Sequence, residues 1–225
     1  MFTEIRNIID FNMRNLTKFS RKNYEEKSLV AIERNKKENL YTYDILKKYF
    51  QMTSKTPLRI LDIGSKNWLY ATGEYRFFDE FCKDFILDGV EIDAYRLYSN
   101  FYSRFEVAKY HTKNLKNTNY IVDNLLNVTN KYDYIIWFLP FVVVEPHVYW
   151  GLPKKFFYPE KLLAHAYSLL EENGQMLIVN QGKFEAEEQE RLFKKLDIPY
   201  QDLGIIKSEF YEYQKERYGW LVKKI

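Results

Sequence analysis

From Pro57 onward the chain alternates short, unbroken apolar runs with helix-length segments, and this alternation constrains the fold more than any other feature. "LRILDIG" (58–64), "FILDGVEID" (85–93), "NYIVDNL" (119–125), "YDYIIWFLP" (132–140) and "GQMLIVNQG" (174–182) read as five buried strands. "GEYRFFDEFCKD", "AYRLYSNFYSRF" and "PEKLLAHAYSLLEEN" are the expected crossover helices between them. Strands that are apolar along their whole length are covered on both faces, which predicts parallel βαβ units. The tail differs. "EAEEQERLFKKL" (185–196) is a charged amphipathic helix, and "DLGIIKSEF" and "RYGWLVKKI" read as two strands joined by a short polar connection. The expectation is an α/β fold: a mostly parallel seven-stranded sheet with helices on both faces and a C-terminal antiparallel hairpin.

Ahead of Pro57 the period is helical. Leu40, Tyr43, Leu46 and Phe50 recur at spacings of three and four within a helix expected from about Ser28 to Phe50. "TSKTP" ends it, because Pro57 disfavours helix in the residue before it. Residues 1–20 are expected to form a further short helix. The division is therefore an N-terminal helical extension, 1–56, and an α/β domain, 57–225.

Charge separates the same two parts. Residues 1–56 hold 12 Lys/Arg against 7 Asp/Glu, whereas 57–225 hold 22 against 24. The overall formal charge of +3 is too small to predict nucleic-acid binding, and a small-molecule partner is favoured over RNA. Cys82 is the only cysteine, so no intrachain disulfide can form, which suits a reducing cytoplasm. Charges interrupt every apolar run of the N-terminus, so no secretory signal and no membrane association is expected. Three scattered histidines and one cysteine give no metal-ligand spacing.

The candidate site lies at the strand ends. In open α/β sheets the ligand binds beyond the carboxyl ends of the strands. Gly64 closes the first strand in "ILDIGSKNW", where a glycine lets the backbone turn and approach a ligand, and Asp62 sits two residues earlier. Glu91 ends the second strand 27 residues after Gly64, placed to accept both hydroxyls of a ribose. Asp93 reads as a helix cap. Asp123 ends the third strand, where a carboxylate can accept from an adenine amine. A dinucleotide loop carries further glycines to admit a pyrophosphate, yet here Lys66 and Trp68 stand in that stretch and are expected to obstruct one. A ligand with adenosine and no phosphates avoids the conflict.

This arrangement of strands, acids and terminal hairpin resembles the class I S-adenosylmethionine-dependent methyltransferases, over about residues 40–225. The resemblance implies a Rossmann-like fold, S-adenosyl-L-methionine as cofactor and methyl transfer as activity. Of the three glycines usual in the family's first loop only Gly64 is present, followed by Ser65, Lys66 and Asn67. By the resemblance the cofactor site comprises Asp62, Gly64, Ser65 and Asn67, with Glu91 at the ribose and Asp123 with Asn124 at the adenine.

The acceptor is expected beyond the fourth strand, near "FLPFVVVEPHVYWGLP" (138–153). Family members that methylate exocyclic or amide nitrogens often carry Asp/Asn-Pro-Pro-aromatic there. Leu139-Pro140-Phe141 lacks the polar residue, which counts against adenine-N6 and glutamine-N5 chemistry. Histidine is the side chain suited to proton transfer near neutral pH, so His147 is the candidate base, with Glu145 beside it. Trp68, Tyr149 and Trp150 are expected to wall the acceptor site, and Asn180, with Gln181, to contact the acceptor. Two other readings share the architecture. One is a non-catalytic scaffold that binds a partner through its basic N-terminal helices. The other is a nicotinamide-dependent oxidoreductase, which the single-glycine loop and terminal hairpin oppose.

Overall fold

The computed structural model describes residues 32–52, 55–98 and 101–224, with backbone alone for 32–34. The helix expected over residues 1–20, and the start of the one from Ser28, lie outside these. In chain order the elements are α1 (Ile32–Tyr49), β1 (Leu58–Ile63), α2 (Ala71–Phe81), β2 (Phe85–Val90), α3 (Arg104–Thr112), β3 (Thr118–Ile121), β4 (Tyr132–Phe138), α4 (Val144–Tyr149), α5 (Pro159–Leu169), β5 (Leu170–Gln181), α6 (Gly182–Lys195), β6 (Gln201–Ile205) and β7 (Arg217–Lys223). Seven strands form one sheet in the order β3-β2-β1-β4-β5-β7-β6. The first five are mutually parallel, and β7 runs antiparallel to both β5 and β6.

The period-2 geometry of the strands divides the core in two. Tyr134 and Ile136 of β4, Leu177 and Val179 of β5 and Leu221 of β7 face the side covered by α1, α2 and α3. Their neighbours Ile135, Trp137, Met176, Ile178, Trp220 and Val222 face α5 and α6. The helices thus lie on both faces, as the apolar runs require. Ile45 and Leu46 of α1, and Phe50 just beyond its end, are buried in the first core. Each such side chain stabilises by about 1.5–3 kcal/mol when fully buried, so the C-terminal half of α1 is held to the sheet. At its contact with α2, Asn39 Oδ1 accepts from Gly73 N–H at 2.6 Å. A Cβ on Gly73 would lie 2.3 Å from the Asn39 carbonyl oxygen, so only glycine permits this approach.

Three segments depart from expectation. The helix expected over "PEKLLAHAYSLLEEN" ends at Leu169, and the last four residues of that segment already belong to β5. "AYRLYSNFYSRF" is not a crossover helix: its described residues before Arg104, 94–98 and 101–103, form turns and an isolated bridge between Leu97 and Ser103. The helix starts later because Ser103 caps it, its Oγ accepting from Glu106 N–H at 3.2 Å while Glu106 accepts from Ser103 N–H at 2.8 Å. The connection between β6 and β7 is not short either. Residues 206–216 form a long loop whose Tyr211 and Tyr213 pack against the first core.

Candidate functional site

A cleft of about 490 Å³ opens at the carboxyl ends of β1, β2, β3, β4 and β5. At one end it is lined by the loop after β1 and the acids after β2 and β3; at the other by α1, the 206–216 loop and the start of β7.

Glu91 is the best-positioned acid. It is buried, its Oε2 accepts from Lys66 N–H at 2.9 Å and its Oε1 from Asp93 N–H at 2.7 Å. Arg104 Nη1 stands 3.6 Å from Oε1. A carboxylate oxygen has two acceptor positions, so each oxygen keeps one for a ligand while the backbone fixes its direction. Gly64 adopts φ +73°, and the space a Cβ would occupy there is open. The loop after β1 therefore presents bare backbone to the cleft. Asn67 lines it too.

Asp123 and Asn124 line the same end but are partly engaged. Asp123 Oδ1 accepts from Asn124 N–H and Asn127 Nδ2, each at 2.7 Å. Asn124 Oδ1 caps the short turn at Leu125–Asn127, and its amide donates to the Tyr158 hydroxyl.

Two residues expected to touch the cofactor do not line the cleft. Asp62 is fully buried beneath the loop, accepting from the Tyr70 hydroxyl at 3.2 Å. Burial pushes its carboxyl well above the usual range, the Tyr70 bond opposes this, and the charge of Glu91 adds to it. Ser65 is likewise buried, its side chain directed toward Gly89 in β2.

The aromatic wall is corrected as well. Trp68 is completely buried, its Nε1 donating to Glu74 Oε2 at 2.8 Å, and it turns inward under the loop and away from the cleft. The expected obstruction by Trp68 is therefore absent. Glu74 is buried too, and burial followed by the charge of Asp62 raises its carboxyl well above the usual range. Tyr149 points outward and is 77% exposed. Trp150 does line the cleft, with Lys66 Nζ 4.4 Å from its ring centroid. Arg96 fixes that corner by donating to the carbonyl oxygens of Trp150 and Gly151.

His147 lines the cleft but is 3% exposed, held edge-on between Phe141 and Phe157. Its Nε2 lies 3.0 Å from the Pro153 carbonyl oxygen. An acceptor-only partner requires the proton on Nε2, so that nitrogen donates and cannot serve as a base. Glu145 is exposed on a separate shallow depression and does not reach the cleft. Asn180 is fully buried with its Oδ1 accepting from Trp220 Nε1 at 2.9 Å, whereas Gln181 lines the cleft. Among the described residues no group of three or more His, Cys, Asp or Glu is placed to hold a metal ion.

Several lining residues were not foreseen. Glu38, Tyr41 and Thr42 come from α1, Tyr70 precedes α2, Phe138 ends β4, and Tyr213 and Arg217 come from the tail. Only the helical period of α1 hinted at this, by placing Tyr41 and Thr42 beside the buried Ile45 and Leu46.

No protein-family model matches the sequence, and no curated protein aligns with it. Solved structures do match in fold. The plantazolicin methyltransferase BpumL, in complex with a monoazolic desmethyl plantazolicin analogue and S-adenosylhomocysteine, is 16% identical, with 100% of this chain and 97% of that chain covered at a TM-score of 0.52. Magnesium protoporphyrin IX methyltransferase from Synechocystis, with bound S-adenosylmethionine, is 10% identical, covering 87% and 82% at 0.53. An S-adenosylmethionine-dependent methyltransferase assigned in Methanococcus maripaludis is 12% identical, covering 92% and 94% at 0.54. The chain has the class I methyltransferase fold: Rossmann-like, with a seven-stranded mixed sheet ending in the β5-β7-β6 antiparallel arrangement.

Proposed function

We propose that this protein binds S-adenosyl-L-methionine and transfers its methyl group to a small-molecule acceptor. The observation that carries the reading is Glu91: a buried carboxylate at the end of β2, aimed by two backbone N–H groups, with an acceptor position left on each oxygen. That arrangement fits the paired hydroxyls of a ribose. The open backbone at Gly64 and the side chain of Asn67 suit the amino-acid part of the cofactor, and Asp123 with Asn124 suits the adenine. When bound, the cofactor supplies a sulfonium-activated methyl group.

The chain's own contribution is alignment and exclusion of water. Gly64, Glu91 and Asp123 hold one ligand over β1, β2 and β3. Tyr41, Tyr70, Phe138 and Tyr213 line the rest of the cleft. A cleft of about 490 Å³ roofed by α1 and a tail loop supports a small acceptor more than a nucleic-acid strand. Among the described residues no helix is long and apolar enough to cross a membrane. A thermal-shift titration with S-adenosylhomocysteine tests the cofactor assignment. A ligand at one hundred times its Kd stabilises by about 2.7 kcal/mol, so a concentration-dependent rise in Tm is expected. No shift at millimolar ligand would refute it.

A further inference from the structure

The acceptor end of the cleft contains a buried cation whose chemistry the cofactor does not use. Arg217 opens β7 and pairs in register with Gln181, the last residue of β5, so its side chain stands at the carboxyl edge of the sheet. It is 8% exposed and lines the cleft. Four inter-strand steps separate β7 from β2 in the sheet order. At about 4.8 Å per step, Arg217 lies roughly 19 Å from Glu91, beyond the span of the adenosine and well inside the acceptor half.

The guanidinium is held in one orientation. Its Nη1 donates to Gln181 Oε1 at 2.9 Å and to the Lys215 carbonyl oxygen at 3.5 Å, and its Cζ lies 4.2 Å from the Tyr213 ring centroid. Tyr41 in turn meets Tyr213 edge-on at 5.0 Å. Among the described residues Arg217 makes no ion pair with a carboxylate, and its Nε and Nη2 have no hydrogen-bond acceptor. Glu185, whose charge it senses, is bonded to Gln181 N–H at 3.1 Å. Tyr41 lines the same corner, and its buried hydroxyl has no hydrogen-bond partner among the described residues. A largely buried guanidinium with no carboxylate at ion-pair distance, beside a buried hydroxyl without an acceptor, is a pair of donors that one anion in the cleft satisfies.

We propose that Arg217 and Tyr41 anchor a carboxylate carried by the methyl acceptor, and so select acidic acceptors with an apolar or aromatic body. The proposal rests on the methyltransferase reading for the word acceptor; the carboxylate site itself does not. The Nε and Nη2 edge of an arginine presents two parallel donors at the spacing of two carboxylate oxygens. Tyr41 supplies a third donor. Tyr70, Phe138 and Tyr213 offer ring surfaces to the rest of the molecule.

The test uses the full chain and two probes of one shape, trans-cinnamate and its uncharged amide, titrated calorimetrically with and without saturating S-adenosylhomocysteine. Cinnamate is expected to bind at least tenfold more tightly than cinnamamide. Arg217→Met should abolish that preference while leaving affinity for the amide and for S-adenosylhomocysteine within about twofold. Arg217→Lys should retain only part of it, since the charge stays and the fork is lost. Tyr41→Phe, which keeps the packing, should weaken cinnamate alone by threefold or more, and it serves should Arg217→Met fail to fold. Equal affinity for the two probes, no cinnamate binding by the folded wild-type protein, or an undiminished preference in the folded Arg217 and Tyr41 variants would each overturn the proposal. Failure of S-adenosylhomocysteine to bind would refute the methyltransferase reading instead, and the titrations made without it would still decide the carboxylate site.

Discussion

The indole of Trp68 lies against Gly89 so closely that a Cβ on residue 89 would come within 2.8 Å of its ring atoms. This contact explains how a loop with one glycine can still face a ligand with bare backbone. Trp68, at φ +45°, turns its side chain down between β1 and β2, and the missing side chain at Gly89 makes room for it. Bulk therefore accumulates beneath the loop, where Glu74 satisfies the indole N–H, and the space above Gly64 stays open.

Gly89→Ala should be destabilising through overpacking, because the new methyl meets the indole on one side and Ser65 Oγ, at 2.9 Å, on the other. Insertion of a methyl into a packed core costs about 1–3 kcal/mol. For a chain of this size that lowers Tm by roughly 2–4 °C per kcal/mol. Calorimetric melting would show it, and an unchanged Tm would mean that Trp68 moves aside freely.

The buried carboxyls beneath the loop should make stability fall as pH rises. Asp62 and Glu74 are both held above their ordinary range, chiefly by burial. Between the unfolded and folded pKa values the native state binds more protons than the unfolded chain, so the slope of stability against pH is negative there. Each group contributes up to about 1.4 kcal/mol per pH unit. Glu74→Gln keeps an acceptor for Trp68 and removes one of the two charges. It should flatten the decline above the ordinary carboxylate range, as read from urea unfolding at several pH values. A curve parallel to wild type would contradict the assignment.

His111 acts in the opposite direction. Burial pushes its imidazole down to about 4, so the unfolded chain takes up the proton first as pH falls. Stability carried by the neutral ring is full above about pH 6.5, the unfolded value, and is lost progressively toward pH 4. His111→Gln should show a shallower loss across that window in the same unfolding series.

How much of this was visible in the sequence depends on which physical signal carried it. Continuous apolar runs specified the parallel strands because burial on both faces leaves no polar alternation. The position of Glu91 on the cleft was legible because the ends of consecutive parallel strands fall on one edge of the sheet. Trp68 was misjudged for the opposite reason: a large aromatic near a strand end reads the same whether it points up or down, and only Gly89 on the neighbouring strand decides. Asn180 failed likewise, since its partner Trp220 lies 40 residues away in sequence. The helix after β2 was placed too early because aromatic periodicity in "AYRLYSNFYSRF" outweighed the capping pair Ser103 and Glu106. Arg217 and Tyr41 come together only through the packing of α1 and the tail loop on one core, which no local pattern contains.

Glu91→Ala should weaken S-adenosylhomocysteine binding by at least about tenfold. Hydrogen bonds to a charged group are worth about 1.5–3 kcal/mol each, and the substitution also releases Lys66 N–H and Asp93 N–H from their acceptor. Glu91→Gln, which keeps one acceptor oxygen, should lose less. Unchanged affinity in the folded Ala variant would remove Glu91 from the ribose.

The most direct measurement is calorimetric titration of the wild-type protein with S-adenosylmethionine and S-adenosylhomocysteine, with NADH as the control ligand. The account predicts one site of micromolar affinity for each of the first two and no heat of binding with NADH. Silence from both, or binding of NADH alone, would contradict it.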